Sequence, residues 1–207
     1  MADTRWQQIT GGRDGEEYAA RFRALAESGA DPHGEASFVA ARLDGGARVL
    51  DAGCGTGRVA VRLAELGFDC VGVDVDESML AVARREAPHV PWFSADLAAV
   101  TAEDLGGSRD FDLVVLAGNV VPLLAEGTLP TAVRRLADLV GPAGELVAGF
   151  GLDAAHLPRG CPVTPLADYD DACAHAGLQP ESRFATWDTE PFRDGSGYVV
   201  AVHRRPG

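Results

Sequence analysis

Val49-Leu50-Asp51-Ala52-Gly53-Cys54-Gly55-Thr56-Gly57 is the stretch on which the fold turns. A short run, Arg48 to Leu50, leads in and reads as a buried strand. It breaks into three glycines at alternate positions. Behind them Val59, Ala60, Leu63, Ala64 and Leu66 are apolar while Arg58, Arg62 and Glu65 are not, which is the pattern of an amphipathic helix. The order is strand, tight glycine loop, helix. Glycine lets such a loop take positive φ and lets a ligand approach the backbone with no Cβ in the way. The helix start aims free N–H groups at whatever sits there. This is the pattern of a nucleotide-type cofactor site.

Two cofactor classes fit the glycines. Gly55-Thr56-Gly57-Arg58-Val59-Ala60 formally matches the G-x-G-x-x-G/A dinucleotide pattern. Asp51, two residues before the first glycine, decides between them. A pyrophosphate would meet that carboxylate as a like charge. S-adenosyl-L-methionine carries an ammonium and a sulfonium, which the carboxylate attracts. In the form Asp-x-Gly-x-Gly-x-Gly, the stretch resembles the first motif of the class I S-adenosylmethionine-dependent methyltransferases of the small bacterial, small-molecule type. The resemblance covers roughly Leu43 to His203. It implies a Rossmann-like, doubly wound α/β fold: a mostly parallel seven-stranded sheet with an antiparallel C-terminal strand.

The composition sets the outer bounds. At 207 residues one domain is expected, able to bury about 70% of its unfolded surface. With 46% hydrophobic and 24% charged residues the chain has the composition of a folded domain. A net charge of −13 argues against a nucleic-acid partner, whose phosphates need a basic surface. The polar first residues, Met1 to Gly12, do not read as a signal peptide. No apolar stretch approaches the ~20 residues of a membrane span, so the expected location is cytoplasmic. Cys54, Cys70, Cys161 and Cys173 are scattered with no zinc-type pairing, as reduced thiols are.

Taken in order, residues 1 to 14 read as irregular, with Trp6 their one large apolar group. Glu16 to Ser28 reads as a helix on the spacing of Tyr18, Phe22, Leu25 and Ala26, closed by Gly29. Asp31 as N-cap and Pro32 at the first position open a second helix that runs to about Leu43. Strands are then expected at Asp69 to Asp74, Val90 to Ser94, Phe111 to Leu116 and Glu145 to Phe150. Helices are expected at Glu77 to Glu86 and at Thr131 to Val140, the latter ended by Gly141-Pro142. Such alternation predicts a parallel sheet with helices on both faces. Leu166 to Ala176 reads as a helix. Arg183 to Trp187 and Gly197 to His203 read as strands whose short connection forces antiparallel pairing. Residues 1–43 are thus a helical cover or lid, and 44–207 the core.

In an open parallel sheet the ligand lies beyond the carboxyl ends of the strands. Besides Asp51, Gly53, Cys54, Gly55 and Gly57, the expected cofactor residues are therefore those just after each strand. Asp74, about 20 residues past the glycines, suits ribose hydroxyls and is followed by Val75. Asp76 reads as a helix N-cap, and Met79 as packing or an adenine wall. Asp96 and Leu97 resemble the family's adenine-binding pair, although Asp96 would also cap the following turn. Ala117 and Gly118 are small enough to let the methionine part pass close to the backbone. Asn119 faces the transferring methyl or simply makes a turn.

The histidines are isolated. His156, after the fifth strand, and His33, with Glu35 at the second helix, are the weak candidates for a base. No metal-ligand set is visible, and no Asn/Asp-Pro-Pro-Tyr/Phe box occupies the Gly118 to Pro122 position. The expected function is methyl transfer from S-adenosylmethionine to a small molecule by a monomer or homodimer, metal-independent, leaving S-adenosyl-L-homocysteine. Positioning and desolvation can supply most of its rate. A non-catalytic S-adenosylmethionine-binding module is one rival reading; an NAD-type oxidoreductase, opposed by Asp51, is another.

Overall fold

The computed structural model describes residues 3–11, 15–27 and 33–207, and within 15–27 it leaves out the side chains at positions 22, 23, 25 and 26. The side chains of the Phe22, Leu25 and Ala26 stripe are among those left out, and Gly12, Gly29, Asp31 and Pro32 lie outside the described residues.

The chain begins with helices α1 (Arg5–Thr10), α2 (Gly15–Glu27) and α3 (Gly34–Ala40). Strand β1 (Arg48–Ala52), helix α4 (Arg58–Glu65), β2 (Asp69–Asp74), α5 (Glu77–Glu86) and β3 (Trp92–Ser94) form the first winding. The second contains β4 (Phe111–Leu116), α6 (Val120–Leu123), α7 (Leu129–Leu139), β5 (Val140–Gly151), α8 (Leu166–His175), β6 (Gln179–Phe184) and β7 (Tyr198–Arg204). The seven strands lie in the order β3-β2-β1-β4-β5-β7-β6. Strands β1 to β5 pair in parallel, and β7 runs antiparallel to both β5 and β6. The order reverses between β1 and β4, where ligands of doubly wound folds bind.

Successive side chains of each strand enter opposite cores. Leu50, Val114, Leu146 and Ala201 face the core beneath α7 and α8, with Leu136 and Tyr169. Val49, Leu113, Val147 and Val200 face the core beneath α3, α4 and α5, with Phe38, Leu63 and Leu80. Burial on both faces explains why the central strands are almost continuously apolar.

Several sequence expectations need correction. Residues 5–10 are helical because Thr4 and Gln7 form a reciprocal capping box, and Gly11 closes the turn at φ 73°. The second helix is the shorter α3, with His33 at its N-cap position. Val140 already pairs with Phe111, so Gly141-Pro142 lies inside β5, where a register shift accommodates a proline that cannot donate. The penultimate strand is 179–184 instead of 183–187. This edge strand is mostly exposed and lacks the apolar alternation by which a strand is recognised. Phe184 and Trp187 pack edge-on against Phe38 of α3, at 5.6 and 5.4 Å between ring centroids. The short helix α6 follows β4 where only a turn was expected.

The glycine loop rests on one indole. Trp92 of β3 pairs with Gly72 of β2, and its Nε1 donates to the carbonyl of Ala87 at 2.9 Å. A Cβ on Gly72 would fall 2.3 Å from the ring, and one on Gly57 2.4 Å. Replacing Gly72 by alanine must displace the indole that supports the loop. Overpacking of this kind loses roughly 1–3 kcal/mol, or about 2–10 °C in melting temperature for a chain of this length. Thermal denaturation of Gly72→Ala measures it; an unchanged transition would show that the indole has room to move.

Candidate cofactor and acceptor cavity

A cavity of about 510 Å³ opens at the carboxyl ends of the central strands, within the ~300–1,000 Å³ usual for small-molecule sites. Its floor is the loop after β1. Gly53, Gly55 and Gly57 have φ of 76°, 55° and 81°, so the alternate glycines are a backbone requirement. The N–H groups of Gly53 and Cys54 both donate to the carbonyl of Val73, which ties the loop to β2.

Two carboxylates complete that anchorage. Gly57, the N-cap of α4, has no side chain to cap with. Asp51 reaches over from β1 instead, and its Oδ2 accepts from the Ala60 N–H at 3.1 Å. Asp74 accepts from the Gly55 N–H at 2.7 Å and from the Asp76 N–H at 2.9 Å. Asp51 is only 2% exposed. Burial pushes its carboxyl up to about 7, against a smaller opposing pull from the Ala60 N–H and Arg58. Burial also raises Asp74, again opposed by its backbone donors. The floor therefore holds two desolvated carboxyl groups that a bound cation would stabilise in their ionised form.

The remaining walls come from the other strand ends. Val75 and buried Met79 line the cavity beyond β2. Asp76 is the N-cap of α5, accepting from the Ser78 N–H at 2.9 Å. Beyond β3 Asp96 and Leu97 line the cavity, while Asp96 Oδ1 also accepts from the Ala98 N–H at 2.9 Å. Asp96 therefore caps the following turn and lines the cavity with one side chain. Beyond β4 come Ala117, Gly118 and Asn119. Asn119 takes a left-handed φ of 68°, and its amide is engaged at both ends. Its Oδ1 accepts from the Gly151 N–H at 2.7 Å and its Nδ2 donates to the His156 carbonyl at 3.2 Å. It is a turn residue that also lines the site. His156 lines the far wall with Leu157 and Pro158.

The N-terminal helices supply the roof. Trp6 donates from Nε1 to Asp76 Oδ2 at 2.8 Å and meets Tyr18 edge-on at 5.8 Å. Gly15 packs so tightly on α5 that a Cβ there would lie 2.2 Å from the Ser78 carbonyl oxygen. Arg58 lines the cavity and is gripped by Glu35 of α3, NH1 to Oε2 at 2.7 Å.

Of the residues expected to hold a cofactor, Asp51, Gly53, Cys54, Gly55, Asp74, Val75, Met79, Asp96, Leu97, Ala117 and Gly118 line this one cavity. Two expected residues do not. Gly57 faces Trp92, and His33 sits at the start of α3 outside the lining. Sequence reasoning missed Thr4, Arg21 and Arg58, which reach the cavity only through the docking of α1 and α2 and the start of α4. It also missed Asp153 as the partner of His156, although the D-x-x-H spacing was there to be read. Among the described residues no group of three or more His, Cys, Asp or Glu side chains is placed to hold a metal ion.

An open, doubly wound sheet with a glycine loop and strand-end carboxylates at its switch point defines a nucleotide-cofactor domain. Comparison with known proteins narrows the class. A family profile described as a methyltransferase domain matches residues 49–144. The crystal structure of a TehB-like S-adenosylmethionine-dependent methyltransferase from Corynebacterium glutamicum superposes with a TM-score of 0.82. It is 36% identical, over 92% of this chain and 97% of that one. A putative methyltransferase of Geobacillus sp. (strain WCH70) is 35% identical over 117 residues, 54% of this chain and 47% of its own length. A ubiquinone biosynthesis O-methyltransferase of Mesorhizobium japonicum is 34% identical over 124 residues, 60% of this chain and 46% of its own length. The matches thus span about half the length of these two curated relatives. The chain belongs to the class I S-adenosylmethionine-dependent methyltransferases.

The buried carboxyl of Asp51 makes a stability prediction. Its folded value, near 7, lies above the ordinary 3.8, so the native state retains a proton that the unfolded chain releases between those limits. The contribution of Asp51 to stability without cofactor should therefore fall as pH rises through that window and level off above 7. Asp51→Asn keeps an acceptor for the Ala60 N–H and removes the titration. At pH 8 the variant should melt higher than the parent, the gap closing towards pH 4. A parent that melts no lower than the variant at pH 8 would show that Asp51 is ionised without penalty.

Proposed function

We propose that this chain transfers the methyl group of S-adenosylmethionine to a small-molecule acceptor, by positioning and desolvation and without a metal ion. One observation carries the reading: a single cavity joins the glycine loop and its carboxylates to apolar walls at Leu123, Leu124, Leu157 and Pro158. The donor supplies a methyl group already activated on a sulfonium, so the protein's task is to hold two molecules in line and exclude water.

In this reading Asp51 faces the methionine ammonium, and Gly53, Cys54, Gly55, Ala117 and Gly118 admit the methionine chain close to the backbone. Asp74 takes the ribose hydroxyls. Val75, Met79, Asp96 and Leu97 surround the adenine. Arginine 58 stands near the same end, its charge balanced by Glu35. A net charge of −13 speaks against a nucleic-acid acceptor, and among the described residues no helix is long and apolar enough to cross a membrane.

Calorimetry tests the assignment directly. S-adenosylhomocysteine should bind in the micromolar range and NADH should not bind comparably. Asp51→Asn should weaken S-adenosylmethionine about tenfold or more, the loss of a charge-assisted contact worth ~1.5–3 kcal/mol. Turnover should persist in EDTA. Preference for NADH would overturn the cofactor; binding without turnover of any acceptor would leave a binding module.

Residues 1–43 act in this reading as the cover over both ligands. Trp6 and Tyr18 close the cavity from above: the Trp6 indole donates to Asp76 and meets the Tyr18 ring edge-on. Trp6→Ala should therefore leave the melting temperature nearly unchanged while S-adenosylhomocysteine affinity or turnover falls about tenfold. Intact affinity and turnover in that variant would reduce the cover to packing.

A further inference from the structure

We propose that Asp153 and His156 form a carboxylate–imidazole pair that takes the proton from an acidic hydroxyl, so that the acceptor is a phenol or enol carried on an apolar body; the inference rests on the methyl-transfer reading above.

The pair sits on a single 3₁₀ turn, Ala154–His156, just after β5. Asp153 Oδ1 accepts from the Ala155 N–H at 2.9 Å and the His156 N–H at 3.1 Å. The same oxygen lies 2.7 Å from His156 Nδ1. A carboxylate there fixes the proton on Nδ1 and leaves Nε2 as the basic nitrogen. The imidazole in turn holds the Asp153 carboxyl below its ordinary value.

Capping a turn would need only the aspartate. The surroundings go further: Asn119 and Gly151 fix the backbone of the turn at His156, and Gly197 leaves room for its ring. Asn119, at the end of β4, holds the His156 carbonyl at 3.2 Å. A Cβ on Gly151 would lie 2.6 Å from that carbonyl oxygen. A Cβ on Gly197 would lie 2.3 Å from His156 Cε1 and 2.5 Å from Asp153 Oδ2. The Leu152 N–H donates to the Gly197 carbonyl at 2.8 Å, which fixes that clearance. The ring is nevertheless reachable: its side chain is 48% exposed and it lines the cavity. The charged and titratable groups that share the cavity with it are Asp51, Cys54, Asp74, Asp96, Arg21, Arg58 and Tyr18; Asn119, Gly151 and Gly197 approach it from other elements.

The chemistry follows from this placement. A neutral amine attacks with a lone pair already in hand. A phenol with a pKa of about 10 is roughly one-thousandth ionised at neutral pH and gains most from a base of imidazole strength. As the acceptor oxygen bonds to the methyl carbon, its proton passes to His156 Nε2. The methyl–sulfur bond breaks and its electron pair stays on sulfur. The products are the methyl ether, neutral S-adenosylhomocysteine and an imidazolium held by Asp153, which returns its proton to water. Val120, Leu123, Leu124, Leu157 and Pro158 offer the apolar body its walls.

The test uses the full chain, S-adenosylmethionine and a series of phenols from para-methoxyphenol to para-nitrophenol, with the matching anilines, following S-adenosylhomocysteine formation. The parent should methylate phenols. His156→Gln should lose about 100-fold in kcat on the least acidic phenol and little on para-nitrophenol, which ionises without help. Asp153→Asn should also lose activity on the least acidic phenol and little on para-nitrophenol, because the imidazole loses the acceptor that orients it. Both variants should bind S-adenosylhomocysteine as the parent does, which shows that they are folded. An equal loss across the series would make His156 structural and overturn the pair. Methylation of anilines alone, or of no member of either series, by a parent that binds S-adenosylhomocysteine would overturn the acceptor class. Failure of the parent to bind S-adenosylhomocysteine would instead overturn the methyl-transfer reading.

Discussion

Two carboxylates hold a glycine loop by its backbone. Asp51 reaches the Ala60 N–H and Asp74 reaches the Gly55 N–H, so β1, β2 and the start of α4 are tied at one point. The bonds do not repay full burial, because burial raises both carboxyl groups above their ordinary values. At Asp51 the protein keeps an acid where an amide would cap the same donor at less cost to stability, whereas Asp74 uses both carboxylate oxygens as acceptors. Under the proposed function these carboxylates meet a positive ligand, and the loss of stability then lies where function benefits.

The loop needs support from below as well as from its sides. Trp92 gives it, because Gly72 and Gly57 leave room for the indole between β2 and the loop. The short β3 thus contributes more through one side chain than through its hydrogen bonds. On the opposite side of the switch point the chain solves a similar problem with Asn119. A left-handed residue with a two-ended amide joins the end of β4 to the segment after β5. The floor and the far wall of the cavity are therefore braced independently. The roof is held through Trp6 to Asp76, Arg5 to the Pro122 carbonyl, Glu16 to Arg85 and Gly15 against Ser78.

Much of this was legible from residue order alone. The strand, the alternate glycines and the amphipathic helix mark β1, the loop and α4, because each depends on local periodicity and on φ values that few residues accept. The rule that ligands sit beyond strand ends then leads to Asp51, Asp74, Asp96 and Gly118. It works because strand ends converge in any sheet of this winding. The misreadings were of another kind. β6 is a polar edge strand, held by pairing with β7 and without an apolar face of its own. Gly141-Pro142 has the composition of a helix stop and instead lies in an irregular part of β5.

The division between sequence and structure follows range. Sequence by itself determined the fold class, the loop, the carboxylates at the strand ends and the choice of a positively charged cofactor, since all of these depend on neighbours within one turn or on a winding that recurs. Only the tertiary structure decided that Gly57 turns towards Trp92, that Arg58 is matched by Glu35, and that Trp6 and Tyr18 line the cavity. It alone brought Asn119, Gly151 and Gly197 around His156. Those contacts join residues tens of positions apart through packing, and packing leaves no period in a sequence. A glycine that clears space for an imidazole reads the same as one that makes a turn until the imidazole is in place.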